Sequence, residues 1–119
     1  MNRVQLFPHK GKNIVLVDLS NADEVEIAKT LGEASGLVSR QGPKNARVLT
    51  DVTNATYNPQ VSQLIKQFTA NNTPYVRASA VVGIEGVRFV LLQTVIMLTR
   101  REIKVFPDRE KAKDFLCSN

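Results

Sequence analysis

Asn58-Pro59-Gln60-Val61-Ser62-Gln63-Leu64-Ile65-Lys66-Gln67-Phe68 is the stretch that decides the fold. The Asn58 side chain can accept from the first free amides of a helix, and Pro59 falls at the first helical position, where its missing N–H costs nothing. Val61, Leu64, Ile65 and Phe68 then recur at i, i+3, i+4 and i+7, the spacing of one helix face, until Asn71-Asn72-Thr73-Pro74 stops the run. Strands flank the helix on both sides: Ala46-Arg47-Val48-Leu49-Thr50 before it, and Tyr75 to Val82 after it. Strand, helix, strand at these lengths is a βαβ unit, which places its two strands parallel.

Working outward, Val4-Gln5-Leu6-Phe7 alternates as a half-buried strand does. Pro8 to Lys12 reads as a turn, and Asn13 to Asp18 as a more deeply buried strand, joined to the first as a hairpin. Ser20 and Asn21 supply a cap, with Glu24 three residues after Asn21 completing a capping box, and Ile27, Leu31, Ala34 and Val38 form the core stripe of the first helix. Beyond Val82, Gly83 to Gly86 is a short loop, Val87 to Thr99 a further helix, Ile103 to Phe106 a last strand, and Asp108 the cap of a final helix ending near Leu116. The order is β-β-α-β-α-β-α-β-α. It describes a single α/β domain over residues 1–119, with a mostly parallel sheet of about five strands flanked by about four helices and no linker or internal repeat.

Composition narrows the function. The chain has 119 residues, 43% hydrophobic and 23% charged, which sets it among ordinary globular domains and excludes disordered and fibrous classes. A net charge of +5 permits an anionic partner without requiring one. Cys117 stands alone, so no internal disulfide forms. The longest uncharged apolar stretch, Phe89 to Thr99, is 11 residues, short of the roughly 20 of a spanning helix, and the opening residues do not read as a signal peptide. The expectation is a cytoplasmic protein.

Catalytic chemistry finds no constellation. One His and one Cys make no zinc site, and the carboxylates are scattered. His9 falls in the hairpin turn, Cys117 near the end of the chain, and no serine occupies a nucleophile elbow, so no catalytic residue, metal or cofactor is assigned. Gly83-Ile84-Glu85-Gly86 mimics the Gly-x-x-Gly loop of KH-type RNA-binding domains. It follows a strand, however, whereas that loop joins two helices, and Glu85 would repel the phosphates such a loop clamps; nucleic acid is not the expected partner.

Two regions stand out as binding candidates. Asp51, Thr53, Asn54 and Thr56 lie where a strand gives way to a helix, at the carboxyl edge of a parallel sheet, the usual place for ligands and regulatory groups in α/β folds. The Val87–Thr99 helix carries two apolar stripes. Val87, Leu91, Val95 and Leu98 serve the sheet, while Phe89, Leu92 and Ile96 lie on the opposite side and need a second partner: the rest of the domain, a ligand, a second subunit or a membrane. Arg88 before them and Arg100-Arg101 after them form a cationic bracket suited to a headgroup layer.

The element order, together with Thr50-Asp51-Val52-Thr53, Pro74-Tyr-Val-Arg-Ala-Ser-Ala-Val-Val-Gly83 and Ile103-Lys-Val-Phe106 followed by Ala112-Lys-Asp-Phe-Leu116, resembles the bacterial SpoIIAA-like family of STAS-type domains over nearly the whole chain. The resemblance implies a small non-enzymatic module, related in shape to CRAL-TRIO lipid-transfer domains. Two functions follow from it. One is the binding of a nonpolar or lipid-like ligand, with peripheral attachment to the inner membrane surface. The other is STAS-type regulation through a protein partner, in the manner of an anti-sigma-factor antagonist; a homodimer through the Val87–Thr99 helix is compatible with either. The phosphorylated Asp-Ser-Ser-Gly-like motif of those antagonists is not retained: the corresponding residues read Tyr57-Asn58-Pro59-Gln60-Val61, leaving Ser62 or Thr56 as the nearby hydroxyls.

Overall fold

A computed structural model describes residues 3–84 and 103–118. Its elements are β1 (Val4–His9), β2 (Lys12–Asp18), α1 (Glu24–Arg40), β3 (Ala46–Asp51), α2 (Pro59–Asn72), β4 (Val76–Val82), β5 (Ile103–Phe106) and α3 (Arg109–Cys117). The strands lie side by side in chain order, β1-β2-β3-β4-β5. The sheet is mixed rather than simply parallel: β1 runs antiparallel to β2, and the other three pairings are parallel. Three helices are present among the described residues, against about four expected. The expected Val87–Thr99 helix lies outside them, as do Phe89, Leu92, Ile96, Arg88, Arg100 and Arg101.

The hairpin is tighter than the sequence suggested. Lys10 and Gly11, with φ of 49° and 80°, form the two-residue turn whose left-handed residues match the twist of the strands, so pairing continues to His9↔Lys12. Pro8 stands inside β1 rather than in the turn. Asp18 N donates to Arg3 O at 2.7 Å, which makes the odd-numbered residues of β1 the ones that bond to β2. Pro8 therefore sits at an outward position, where the ladder needs no donor.

The sheet separates two cores. On one face Val15, Val17 and Val48 meet Ile27, Leu31, Ala34 and Val38, the stripe expected of α1, together with Val61 of α2. Leu64, Ile65 and Phe68 are half-buried at the margin of the same cluster. On the other face Ile14, Leu16, Leu49, Ala78 and Ala80 meet Ala112 and Leu116 of α3. Buried strands of this kind read as continuous apolar runs, as Ile14 to Val17 does.

The capping expectations split. Asn58 accepts from Val61 N at 2.8 Å with Pro59 in the first turn, and Asp108 accepts from Lys111 N at 2.9 Å, both as the sequence indicated. For α1 the cap is Asp23, not Ser20 or Asn21: Asp23 accepts from Glu26 N at 2.8 Å, and Glu26 accepts from Asp23 N at 3.2 Å. The cap-x-x-Glu spacing occurs twice, at Asn21–Glu24 and Asp23–Glu26. Asn21 is held at φ 57° with its N–H on Thr53 O, so the helix starts later.

Candidate functional site

The βαβ crossovers bring the ends of β2, β3 and β4 to one edge of the sheet, and the turns there are laced together. After β2 the chain reads Asp18-Leu19-Ser20-Asn21; after β3 it reads Asp51-Val52-Thr53-Asn54. Asp18 and Asp51 are register partners. The Asp18 carboxylate accepts from Ser20 N at 3.0 Å and from the Ser20 hydroxyl. The Asp51 carboxylate accepts from Thr53 N at 3.0 Å and Thr53 Oγ1 at 2.7 Å. Each turn then ends on an asparagine in the left-handed region, φ 57° at Asn21 and 54° at Asn54, a conformation that Asn tolerates better than most residues. The turns also bond to each other: Leu19 N to Asp51 O, Asn21 N to Thr53 O, and Thr56 N to Ala22 O. The sheet ladder thus continues past the strands into the loops.

Arg109, the first residue of α3, closes the edge. Its Nε and Nη2 donate to Asp51 Oδ2 at 2.9 and 2.8 Å, and Nη2 stands 3.6 Å from Asp18 Oδ1. Asp51 is almost fully buried, and burial by itself would raise its pKa. The two hydrogen bonds from Thr53 and the Arg109 guanidinium outweigh that, and the carboxyl is held below its ordinary value. Gly83, at φ 84° just past β4, packs against the same turn: a Cβ there would stand 2.6 Å from Thr53 N and 2.8 Å from Thr53 Cα, and would also strike the Thr53 hydroxyl.

Asp51, Thr53, Asn54 and Thr56, singled out from the sequence, all lie at this edge, with Thr53, Asn54 and Thr56 exposed and Asp51 beneath them. Sequence reasoning did not assign Asp18 or Arg109 to this site; it read Ser20 and Asn21 only as a helix cap and Gly83 only as part of the Gly83–Gly86 loop. The available signal was the repeated Asp-x-Ser/Thr-Asn after successive strands; nothing in the sequence marks Arg109, which reaches Asp51 across 58 residues.

Beside the edge lies an apolar cavity of about 100 Å³, walled in part by Val52, Ala55, Tyr57, Val61, Ile65 and Val81. Thr56 and Ser62 also line it. Ser62 is half-buried, with its N–H on Asn58 O at 2.9 Å.

The two chemistry-bearing residues weighed from the sequence meet at the other end of the sheet. His9 is not a free turn residue: it closes β1, and its Nε2 is 3.1 Å from Asp114 Oδ1. Lys10 Nζ is 2.8 Å from the same oxygen, which holds the Asp114 carboxyl low and the Lys10 ammonium high. Cys117 is buried, and its Sγ donates to the His9 backbone carbonyl at 3.1 Å rather than to the imidazole. No thiol–imidazole dyad is formed by this pair. No group of His, Cys, Asp and Glu able to hold a metal ion occurs among the described residues.

No protein-family model matches the chain, and no curated protein does. A search of solved structures finds an anti-sigma-factor antagonist (STAS) domain protein from Planctomyces limnophilus, 12% identical, with a TM-score of 0.62 over 96% of this chain and 97% of that one. At such low identity the likeness speaks to architecture alone. The chain has the STAS-type, SpoIIAA-like fold.

Proposed function

We infer that the protein is a non-enzymatic regulator of STAS type, which docks a protein partner on the carboxyl edge of its sheet. The observation that carries this reading is the lacing of the Asp18–Asn21 and Asp51–Thr56 turns. Their backbone is fixed by mutual hydrogen bonds, the Asp51–Arg109 pair and the close packing of Gly83 on Thr53, while the side chains of Asn21, Thr53, Asn54 and Thr56 stay exposed. A platform ordered beforehand loses little conformational entropy on binding. The structural neighbour, an anti-sigma-factor antagonist domain protein, favours the same class. The test is photocrosslinking in cells from Asn54 or Thr56, with exposed Gln63 of α2 as the control. A discrete adduct to one protein from both edge positions is expected; adducts from Gln63 alone, or none, would overturn the reading.

The cavity favours a second reading, a small nonpolar ligand. About 100 Å³ is less than the ~150 Å³ that admits benzene in an engineered protein core, so the space suits a compact apolar molecule rather than an acyl chain. Native mass spectrometry should then detect a bound molecule that Ala55→Leu, by filling the space, displaces. Attachment to membranes or homodimerisation through Phe89, Leu92 and Ile96 is a separate proposal, tested by vesicle binding and subunit mass of the Leu92→Gln, Ile96→Gln variant. No described helix is long and apolar enough to cross a membrane.

A further inference from the structure

The cavity beside the carboxyl edge is apolar in the main, yet both its floor and its side carry hydroxyls. The floor is the sheet face of Val48, Thr50, Ser79 and Val81, in which Val48 pairs with Ser79 and Thr50 with Val81. The side is α2, through Val61, Ser62 and Ile65. Ser62 stands three residues before Ile65 and so shares its side of the helix.

Local structure employs other hydroxyls of the chain but not those of Thr50 and Ser62. Ser20 and Thr53 bond to the Asp18 and Asp51 carboxylates, and Thr73 bonds to the Thr69 carbonyl four residues back. A helical serine commonly turns its hydroxyl onto that carbonyl. At Ser62 the backbone N–H takes Asn58 O, and among the described residues neither the Ser62 nor the Thr50 hydroxyl has a partner. Both residues are half-buried, and Asn72 Nδ2 is the single enclosed side-chain polar atom left unpaired among the described residues. The two hydroxyls therefore stay open to the space these residues line. A polar group in an apolar wall costs stability unless it is hydrogen-bonded. Valine, close in shape to threonine and present on the same floor at positions 48 and 81, would fill position 50 without that cost.

We propose that the cavity takes a small uncharged molecule with one oxygen, a short alcohol or ketone. Its apolar body lies on Val61, Ile65 and Val81, and its oxygen is hydrogen-bonded by Thr50, Ser62 or both. A hydroxyl both donates and accepts, so either kind of oxygen is served. Among the described residues no charged side chain lines the space, and an ionised ligand buried there without a partner would be costly. By proportion with the ~150 Å³ that admits the six carbons of benzene, about 100 Å³ holds about four or five non-hydrogen atoms. This inference rests on the cavity reading above and adds a polar end to its ligand.

Probes of one shape test it: 2-methylbutane, isobutanol and isobutylammonium differ only in a terminal methyl, hydroxyl or ammonium, and isobutyrate supplies an anion. Titrations of the full chain, followed by amide chemical shifts, give a Kd for each. Isobutanol and 2-methylbutane should both shift the Ala55, Val61 and Val81 amides of the parent, and Ala55→Leu should abolish both effects. The two charged probes should not bind. In the double variant Thr50→Val, Ser62→Ala the ratio of the two neutral affinities should move about three- to tenfold in favour of the hydrocarbon, the loss expected for one hydrogen bond. Hydrocarbon binding retained in that variant shows that it is folded with its cavity intact. Binding of the hydrocarbon alone, an unchanged ratio, or a charged probe held as tightly as isobutanol would overturn the inference and leave the cavity reading standing. If neither neutral probe binds the parent, or if binding survives Ala55→Leu, both fall.

Discussion

Gly83→Ala is expected to be among the most damaging single-methyl additions to this protein. The residue adopts φ 84°, a left-handed conformation that costs an L-residue about 1–2 kcal/mol. The added Cβ would also lie 2.6 Å from Thr53 N and 2.8 Å from Thr53 Cα, both backbone atoms of the laced turn, which cannot swing aside as a side chain can. Overpacking of that kind costs typically 1–3 kcal/mol. The sum, about 2–5 kcal/mol, is a large part of the 5–15 kcal/mol that holds an ordinary domain folded. At roughly 4 °C per kcal/mol the thermal midpoint should fall by some 8 °C or more. Gly11→Ala separates the two contributions, because Gly11 has a similar φ of 80° and nothing within 4 Å of its Cβ position. Urea denaturation followed by circular dichroism should place Gly83→Ala below Gly11→Ala by at least about 1 kcal/mol. Equal losses would mean that the Thr53 turn yields to the methyl, and the argument for a rigid edge would fall with it.

The remaining predictions are more local. Gly32→Ala in α1, where nothing crowds a Cβ, should stabilise by about 0.5–1 kcal/mol in the same assay, unlike either positive-φ glycine. Asn58→Ala removes the acceptor for Val61 N and should cost about 1 kcal/mol, measured as a shift in the denaturation midpoint at unchanged m. Asp51 has a folded pKa below its ordinary value of 3.8, so the stability it adds is complete above that value and disappears as pH falls through the folded one. Asp51→Asn should therefore be less stable than the parent at pH 7, and the gap should narrow below about pH 4; a gap that is constant with pH would remove the Thr53 and Arg109 interactions as its cause.

What the sequence revealed and what it hid have physical reasons. Helix faces are local patterns: the Ile27, Leu31, Ala34, Val38 stripe and the Asn58-Pro59 start both appear as read, because a 3.6-residue period and a cap depend on near neighbours alone. The cap of α1 was misplaced because two equivalent spacings compete, and only the bond from Asn21 N to Thr53 O, 32 residues away, decides between them. Pro8 was read as a turn residue because its tolerance depends on which side of β1 faces β2, a matter of pairing rather than composition. The segment from Asp51 to Thr56 was legible as an edge through its position between strand and helix. Its partners were not, since Arg109 and Gly83 come to it only through the closed sheet.

The outward placement of Pro8 bears on how this protein behaves in a crowded solution. β1 is the rim of the sheet, and a passing extended segment could in principle zip onto it through the N–H and C=O groups of Val4, Leu6 and residue 8. With proline there, the row of donors is broken one residue before the hairpin ends. Any strand added along this rim must forgo a bond, and the bulk of the ring obstructs its approach. The sheet thus resists lateral growth at β1.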